Sequence, residues 1–338
     1  KGEELSDIEG MVQAGAPAIS EDGKSVMNAQ IYKEAMQIAA RMNIPILAHC
    51  EDIHMVNGGC MNEDTNSEKF GLPGICNAVE DTIVARDILI AKDTGCHLHL
   101  CHCSTKDSEV MLRLAKEEGI SVTGEVCPHH FTLTSDDIVE GDTNYKMNPP
   151  LRSEADRKAT IAAIADGTVD LLATDHAPHT LAEKELGFLE APNGIIGLEC
   201  AYGVCHKVLV DGGFISDERL IELMSVGPAE LMGHVPTDVA ALVEDYAEPA
   251  PTGDDPDGVI AGESDAQPQR EGVNRLLDLS RVDDADNVDL VVLNAAEEWT
   301  VDPEQFHSKA RNTPFGGWQV TGRPLATIIG SQLMFSRL

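Results

Sequence analysis

The chain has 338 residues, 42% apolar but only 4% aromatic, and a formal net charge of -34 at pH 7. Its length allows a large core, and the composition suits an α/β enzyme better than a β-rich binding module. So acidic a chain argues against nucleic acid or an anionic membrane as partner, because it repels polyphosphate.

From about residue 14 to residue 235, strand-like and helix-like segments alternate, the signature of β-α units around a parallel sheet. Strands are expected at Pro17–Ser20, Ile44–His49, His97–His102, Ile120–Val126 and Leu171–Thr174. Helices are expected at Ile31–Met42, Glu80–Asp93, Ser108–Glu118, Ser153–Asp166 and Leu220–Leu231. This first region, residues 1–235, reads as one barrel-type domain. Residues 236–287 turn to Asp, Glu, Pro and Gly and read as an acidic, disordered insertion, since little apolar surface is available to offset ordering entropy. Pattern returns in 288–338, where Val288–Leu293 and Leu325–Phe335 are expected to be strands of a small accessory sheet.

Nine cysteines, an odd number without paired spacing, read as reduced thiols of a cytoplasmic protein. No run of about 18 apolar residues marks a membrane span, and no signal peptide is evident. Residue 1 is lysine, so the chain is expected to begin inside a longer reading frame or after processing.

Three of the expected strands end on groups that bind metals. Ile44–His49 leads into Cys50 and Glu51, His97–His102 into Cys103, Ser104 and Thr105, and Leu171–Thr174 into Asp175, His176 and His179. Imidazole and carboxylate at the C-terminal ends of successive parallel strands build the open hydrolytic metal centre of a (β/α) barrel. A lone strand-end histidine is more often a hydrogen-bonded core residue, whereas three such endings in chain order read as a site. Cys101 and Cys103 are expected to pack outward against the helices, because strand alternation opposes them to an inward His102.

Taken together, Ser20-Glu-Asp-Gly23, Ala48-His-Cys-Glu51, Cys101-His-Cys-Ser-Thr105, Glu125-Val-Cys-Pro-His-His130, Lys146-Met-Asn-Pro-Pro-Leu-Arg152 and Thr174-Asp-His-Ala-Pro-His179 resemble the amidohydrolase superfamily. More narrowly they resemble the bacterial class I dihydroorotases, and Asn312-Thr-Pro-Phe-Gly-Gly-Trp318 is similar to that family's tail. The resemblance implies an α/β fold, an incomplete (β/α)8 TIM-type barrel with strands of a small accessory β-sandwich at the C-terminus. It also implies two divalent metal ions, taken as zinc. Asp22, in preference to Glu21, would bridge them, since two cations about 3.5–4 Å apart need an anion between them. His49 and His102 match ligands of the second ion, and Asp175 matches a ligand of the first and the proton carrier. Asn148 and His179 match contacts to a pyrimidine ring and its carboxylate, and Asn193 and Gly194 match a backbone contact. Asn148 also suits the turn before Pro149, and Gly194 a loop hinge. His54, His97, His99, His129, His206, His234 and His307 match no ligand position.

The implied reaction is the reversible closure of N-carbamoyl-L-aspartate to L-dihydroorotate in pyrimidine biosynthesis, with a homodimer or an aspartate transcarbamoylase as possible protein partner. Two other readings stay open. One is an inactive scaffold subunit for aspartate transcarbamoylase. The other is an allantoinase or dihydropyrimidinase, against which Asp22 in the place of a carboxylated lysine and the spelling Thr174–His179 both count. The family's first strand carries a His-x-His pair followed by arginine, and no His-x-His precedes Asp22. The sequence is therefore expected to lack about the first three barrel strands and to be inactive until they are restored.

Overall fold

In a computed structural model of the chain, the structure describes residues 2–249, 275–277, 288–330 and 332–337. Two compact units emerge, Lys1–His234 with Ala295–Arg323, and Val235–Asn294 with Pro324–Leu338.

Among the described residues the first unit holds a sheet of five short parallel strands, β1 (Ile19–Ser20), β2 (Ile46–Ala48), β3 (Leu98–Leu100), β4 (Val122–Val126) and β5 (Leu171–Leu172), and a separate parallel pair, Met61–Asn62 with Gly74–Ile75. Ile19 pairs with Ile46, Ile46 with Leu98, Leu98 with Val122, and Glu125 with Leu171. Within the five-stranded sheet the strands follow one another in chain order with no reversal, which is the winding of a (β/α) barrel and not of a doubly wound sheet. A parallel bridge from His176 to Ile195 carries that order past β5.

The strands fall where the apolar runs placed them but are shorter, for a local reason. The amide of Ile44 is taken by the carbonyl of Ala39 and that of Ile120 by Ala115, so both residues finish the preceding helix before the strand begins.

The helices between strands are α1 (Ala29–Met42), α2 (Ala78–Thr94), α3 (Lys106–Glu117) and α4 (Glu154–Ala165). Asn28 caps α1 by accepting from the amides of Gln30 and Ile31, and Asn43 closes it in a left-handed conformation. Thr105 caps α3, and Ser153 with Asp156 forms a capping box on α4. Tyr32, Met36 and Ala39 recur along one face of α1 and bury it. The core between helices and sheet contains Leu98, Leu100, Val122, Val126 and Leu172. The helix expected over Leu220–Leu231 has a π-type stretch at Glu222–Val226, ahead of Pro228, which offers no amide to an α-helical ladder.

One expectation is overturned. Cys103 packs in the helix-side core as expected, but Cys101 does not. Its sulfur lies in a compact group with His99 and Glu125 on the opposite, interior side. Leu98 and Leu100 occupy the outward positions, so His97, His99 and Cys101 alternate inward. Counting back from His102 fails because His102 has already left the strand, with φ 35°.

Toward the C-terminus, β6 (Leu290–Thr300), β7 (Gln319–Ile329) and β8 (Gln332–Ser336) form a three-stranded sheet. The run Leu325–Phe335, expected as one strand, is split into an antiparallel pair, with Ile329 opposite Gln332 and Gly330 at φ 54°. Within the expected acidic insertion, a helix Val239–Tyr246 and the strand pair Ala247–Pro249 with Arg275–Leu277 are described. Residues 250–274 and 278–287, the bulk of that segment, lie outside the described residues. All nine cysteines are free thiols. Among the described residues no helix is long and apolar enough to cross a membrane.

Candidate metal centre and substrate site

At the C-terminal ends of β2 and β3, Nδ1 of His49 and Nε2 of His102 lie 2.8 Å apart. Asp22, just beyond β1, completes a group whose candidate ligand atoms all fall within 4.8 Å of one another. The imidazoles are 7% and 6% exposed, while Asp22 is exposed. Burial and the neighbouring His49 push the His102 pKa down, against the pull of Asp175 and Glu125. A neutral ring keeps a lone pair to offer. Asp175 follows β5 and senses His102, Asp22 and His49. Lost hydration raises its pKa, His102 opposes that, and Asp22 and Glu125 add to it.

Buried groups hold these side chains in place. The amide of His102 donates to Glu125 Oε1 at 3.3 Å, and Glu125 Oε2 meets His99 Nε2 at 3.0 Å. Behind His102, the carboxylate of Glu80 on α2 accepts from the amides of Ser104 and Thr105 and from the Ser104 hydroxyl. Arg152 pairs with Glu80 at 3.6 Å and donates to Ser104 Oγ at 3.1 Å. The Ser25 hydroxyl donates to the His49 carbonyl and accepts the Glu51 amide, tying the turn after β1 to the end of β2.

Two imidazoles with a carboxylate form a borderline nitrogen and hard oxygen donor set, which suits zinc and related divalent ions. His49 Nε2 is buried with no hydrogen bond among the described residues, and Glu51 Oε2 stands 3.5 Å from it, where an outer carboxylate steadies a ligating imidazole. The residues present therefore fit a metal. Two further compact groups lie near the strand ends: His99, Cys101 and Glu125, and Cys127, His129 and His130. In the first, both nitrogens of His99 are already engaged by Thr123 and Glu125. In the second, burial pushes His129 down to about 3.

Asn148 Nδ2 donates to Glu51 Oε1 at 2.7 Å, which brings Asn148 beside the carboxylate that faces His49. His179 Nε2 meets the carbonyl of Asn193 at 2.8 Å. Gly194 sits at φ 124°, and a Cβ there would lie 2.5 Å from Ala177 Cβ and 3.2 Å from His179 Nε2, so the position needs glycine. The structure thus groups Asp22, His49 and His102, with Asp175 near enough to feel their charge, Asn148 attached through Glu51, and His179, Asn193 and Gly194 in a loop beyond β5. Sequence reasoning gave no role to Glu51, Lys146, Lys184 or Asn312. All but Lys184 lie in motifs it quoted, whereas nothing local marks Lys184.

A family model described as dihydro-orotase-like matches residues 1–108. The dihydroorotase of Geobacillus sp. (strain WCH70) is 38% identical over 337 residues, covering 100% of this chain and 69% of that protein. The chain belongs to the dihydroorotase-like family. The dihydroorotase of Geobacillus thermodenitrificans (strain NG80-2) is 39% identical with the same coverage. Among solved structures, an L-hydantoinase (dihydropyrimidinase) from Arthrobacter aurescens matches with a TM-score of 0.70 at 23% identity, over 98% of this chain and 67% of that one. The dihydropyrimidinase of Brevibacillus agri NCHU1002 matches with a TM-score of 0.75 at 20% identity, over 98% and 68%. At such identities the structural likeness speaks for the fold alone. This dihydroorotase-like chain therefore shares the α/β fold of those cyclic amidohydrolases, with its candidate metal centre at the strand ends.

Proposed function

We propose that the chain carries the metal centre and substrate loop of a dihydroorotase, which interconverts L-dihydroorotate and N-carbamoyl-L-aspartate. The observation that carries this reading is the convergence of His49, His102 and Asp22 at the ends of neighbouring strands in a chain whose relatives are dihydroorotases. Asp22, His49, His102 and Asp175 would hold two divalent ions, zinc by the character of the donors. Such ions, when bound, supply Lewis acidity and lower the pKa of water.

The remaining chemistry belongs to side chains. In hydrolysis, the oxygen of water bonds to the ring carbonyl carbon, the ring C–N bond breaks, and Asp175 carries the proton from the water to the departing nitrogen. In synthesis Asp175 takes that proton back from the carbamoyl nitrogen as the ring closes. Asn148 is held by Glu51 through its NH2 group, which leaves its carbonyl oxygen to a ring N–H. His179 and the backbone at Asn193 and Gly194 bind the acidic end of the substrate.

The test offers L-dihydroorotate, N-carbamoyl-L-aspartate, allantoin and dihydrouracil to the zinc-loaded protein and measures both binding and turnover. Saturable binding of the first two is expected. Preference for allantoin or dihydrouracil would overturn the substrate assignment, and full metal occupancy with no ligand bound would favour a scaffold.

A further inference from the structure

Beside the substrate loop lie two lysines, each only 5% exposed, that no step above uses. A buried ammonium must find acceptors, and both do so entirely among backbone carbonyls. Lys184 Nζ donates to Lys146 O at 3.4 Å, Pro192 O at 3.1 Å and Gly194 O at 3.0 Å. Lys146 Nζ donates to Leu189 O and Ala191 O. Two of the carbonyls so gathered, those of Pro192 and Gly194, flank Asn193, whose own carbonyl meets the ring of His179. The Gly194 amide donates back to Lys146 O, two residues before Asn148.

A third buried side chain closes the arrangement. Asn312 Nδ2 donates to Ala177 O and Gly194 O, while its Oδ1 accepts the amide of His179 and its backbone carbonyl accepts that of Ile196. Gly194 O is thus shared between Lys184 and Asn312.

We propose that Lys184 is a positioning residue of the substrate site: its ammonium, with Asn312, fixes the 192–194 loop and thereby the ring of His179. The word substrate rests on the function proposed above, but the fixing of the loop does not. Lysine suits this place because three carbonyls converge on one point, which a tetrahedral ammonium satisfies with its three hydrogens.

The experiment compares the wild-type chain with Lys184→Met, Lys184→Arg and Asn312→Ala, each zinc-loaded. Amide hydrogen exchange is followed at Gly194 and Ile196, with Leu98 and Cys101 in and beside β3 as internal references. Dihydroorotate affinity is measured by calorimetry alongside. Lys184→Met and Asn312→Ala are expected to speed exchange at Gly194 and Ile196 at least tenfold, leave the references and bound zinc unchanged, and weaken dihydroorotate binding at least tenfold. Lys184→Arg should recover much of both losses. Should Lys184→Met fail to fold, Asn312→Ala and Lys184→Arg carry the comparison. Wild-type exchange at the loop in the variants, or faster exchange with unaltered affinity, would overturn the proposal. A wild-type protein that binds no dihydroorotate would instead overturn the functional reading, and the exchange data would still score the loop.

Discussion

The amide of Asn148 reaches Glu51 at 2.7 Å across 97 positions of chain, and the other oxygen of that carboxylate faces the buried Nε2 of His49. One side chain therefore joins a candidate metal ligand to a candidate substrate contact. Glu51→Gln keeps the shape and removes the charge. It is expected to weaken zinc affinity roughly 10- to 100-fold, as loss of an outer carboxylate does elsewhere. Competition with a chromogenic chelator measures this directly, and affinity within twofold of wild type would refute it.

A second prediction concerns Gly194. Its φ of 124° and the 2.5 Å approach to Ala177 Cβ leave no room for a methyl group. Gly194→Ala should shift the loop against His179 and cost dihydroorotate affinity on the order of tenfold, about 1.4 kcal/mol. Zinc stoichiometry should stay at the wild-type value. Unchanged ligand affinity by calorimetry would show that the loop does not touch the ligand.

Glu109 gives a pH-dependent prediction. It lies on α3, 1% exposed, and neither carboxylate oxygen has a hydrogen-bond partner among the described residues. Burial, and next the negative Glu80, hold its pKa well above the ordinary carboxylate value of 4.5, with Arg113 opposing. In the unfolded chain it ionises near its ordinary value, while in the folded protein it holds its proton to higher pH. Below that value it costs nothing, and as pH rises above 4.5 the folded state is progressively penalised. Glu109→Gln should therefore be more stable than wild type at pH 8, and the gap should shrink toward pH 4.5. Urea denaturation at the two pH values decides it, and a gap that widens on acidification would contradict the assignment.

The Arg152–Glu80 pair is buried on both sides, at 3% exposure each. Removing one partner strands the other charge, so Arg152→Met should destabilise by about 3–5 kcal/mol. Arg152→Met combined with Glu80→Gln should recover part of that loss in urea melts. Additive losses in the double variant would mean that the two residues do not act as a pair.

The parallel β-α order and the strand-end histidines were legible because both are local patterns, apolar runs of the right length ending on polar groups. Turns that leave the regular period were not. Cys101 was placed on the wrong face because alternation was counted through His102, where the backbone has already turned left-handed. Lys184 and Asn312 escaped for a different reason. Their partners lie as far as 38 and 135 positions away, and a lysine in an acidic chain reads as solvated until its surroundings are known. Glu51 belongs to the Ala48–Glu51 motif, but only the folded chain shows that it touches Asn148.

The left-handed backbone at His102, φ 35°, has a counterpart at Asp175, φ 46°. Residues with a Cβ adopt such angles at a cost of order 1–3 kcal/mol each. Two residues of the proposed centre therefore carry backbone strain, whereas Asn43 and Asn57, also at positive φ, are of a type that tolerates it. A selection for heat resistance alone would drift toward glycine or asparagine at both positions, and would yield variants that are sturdier but stripped of two side chains of the proposed centre.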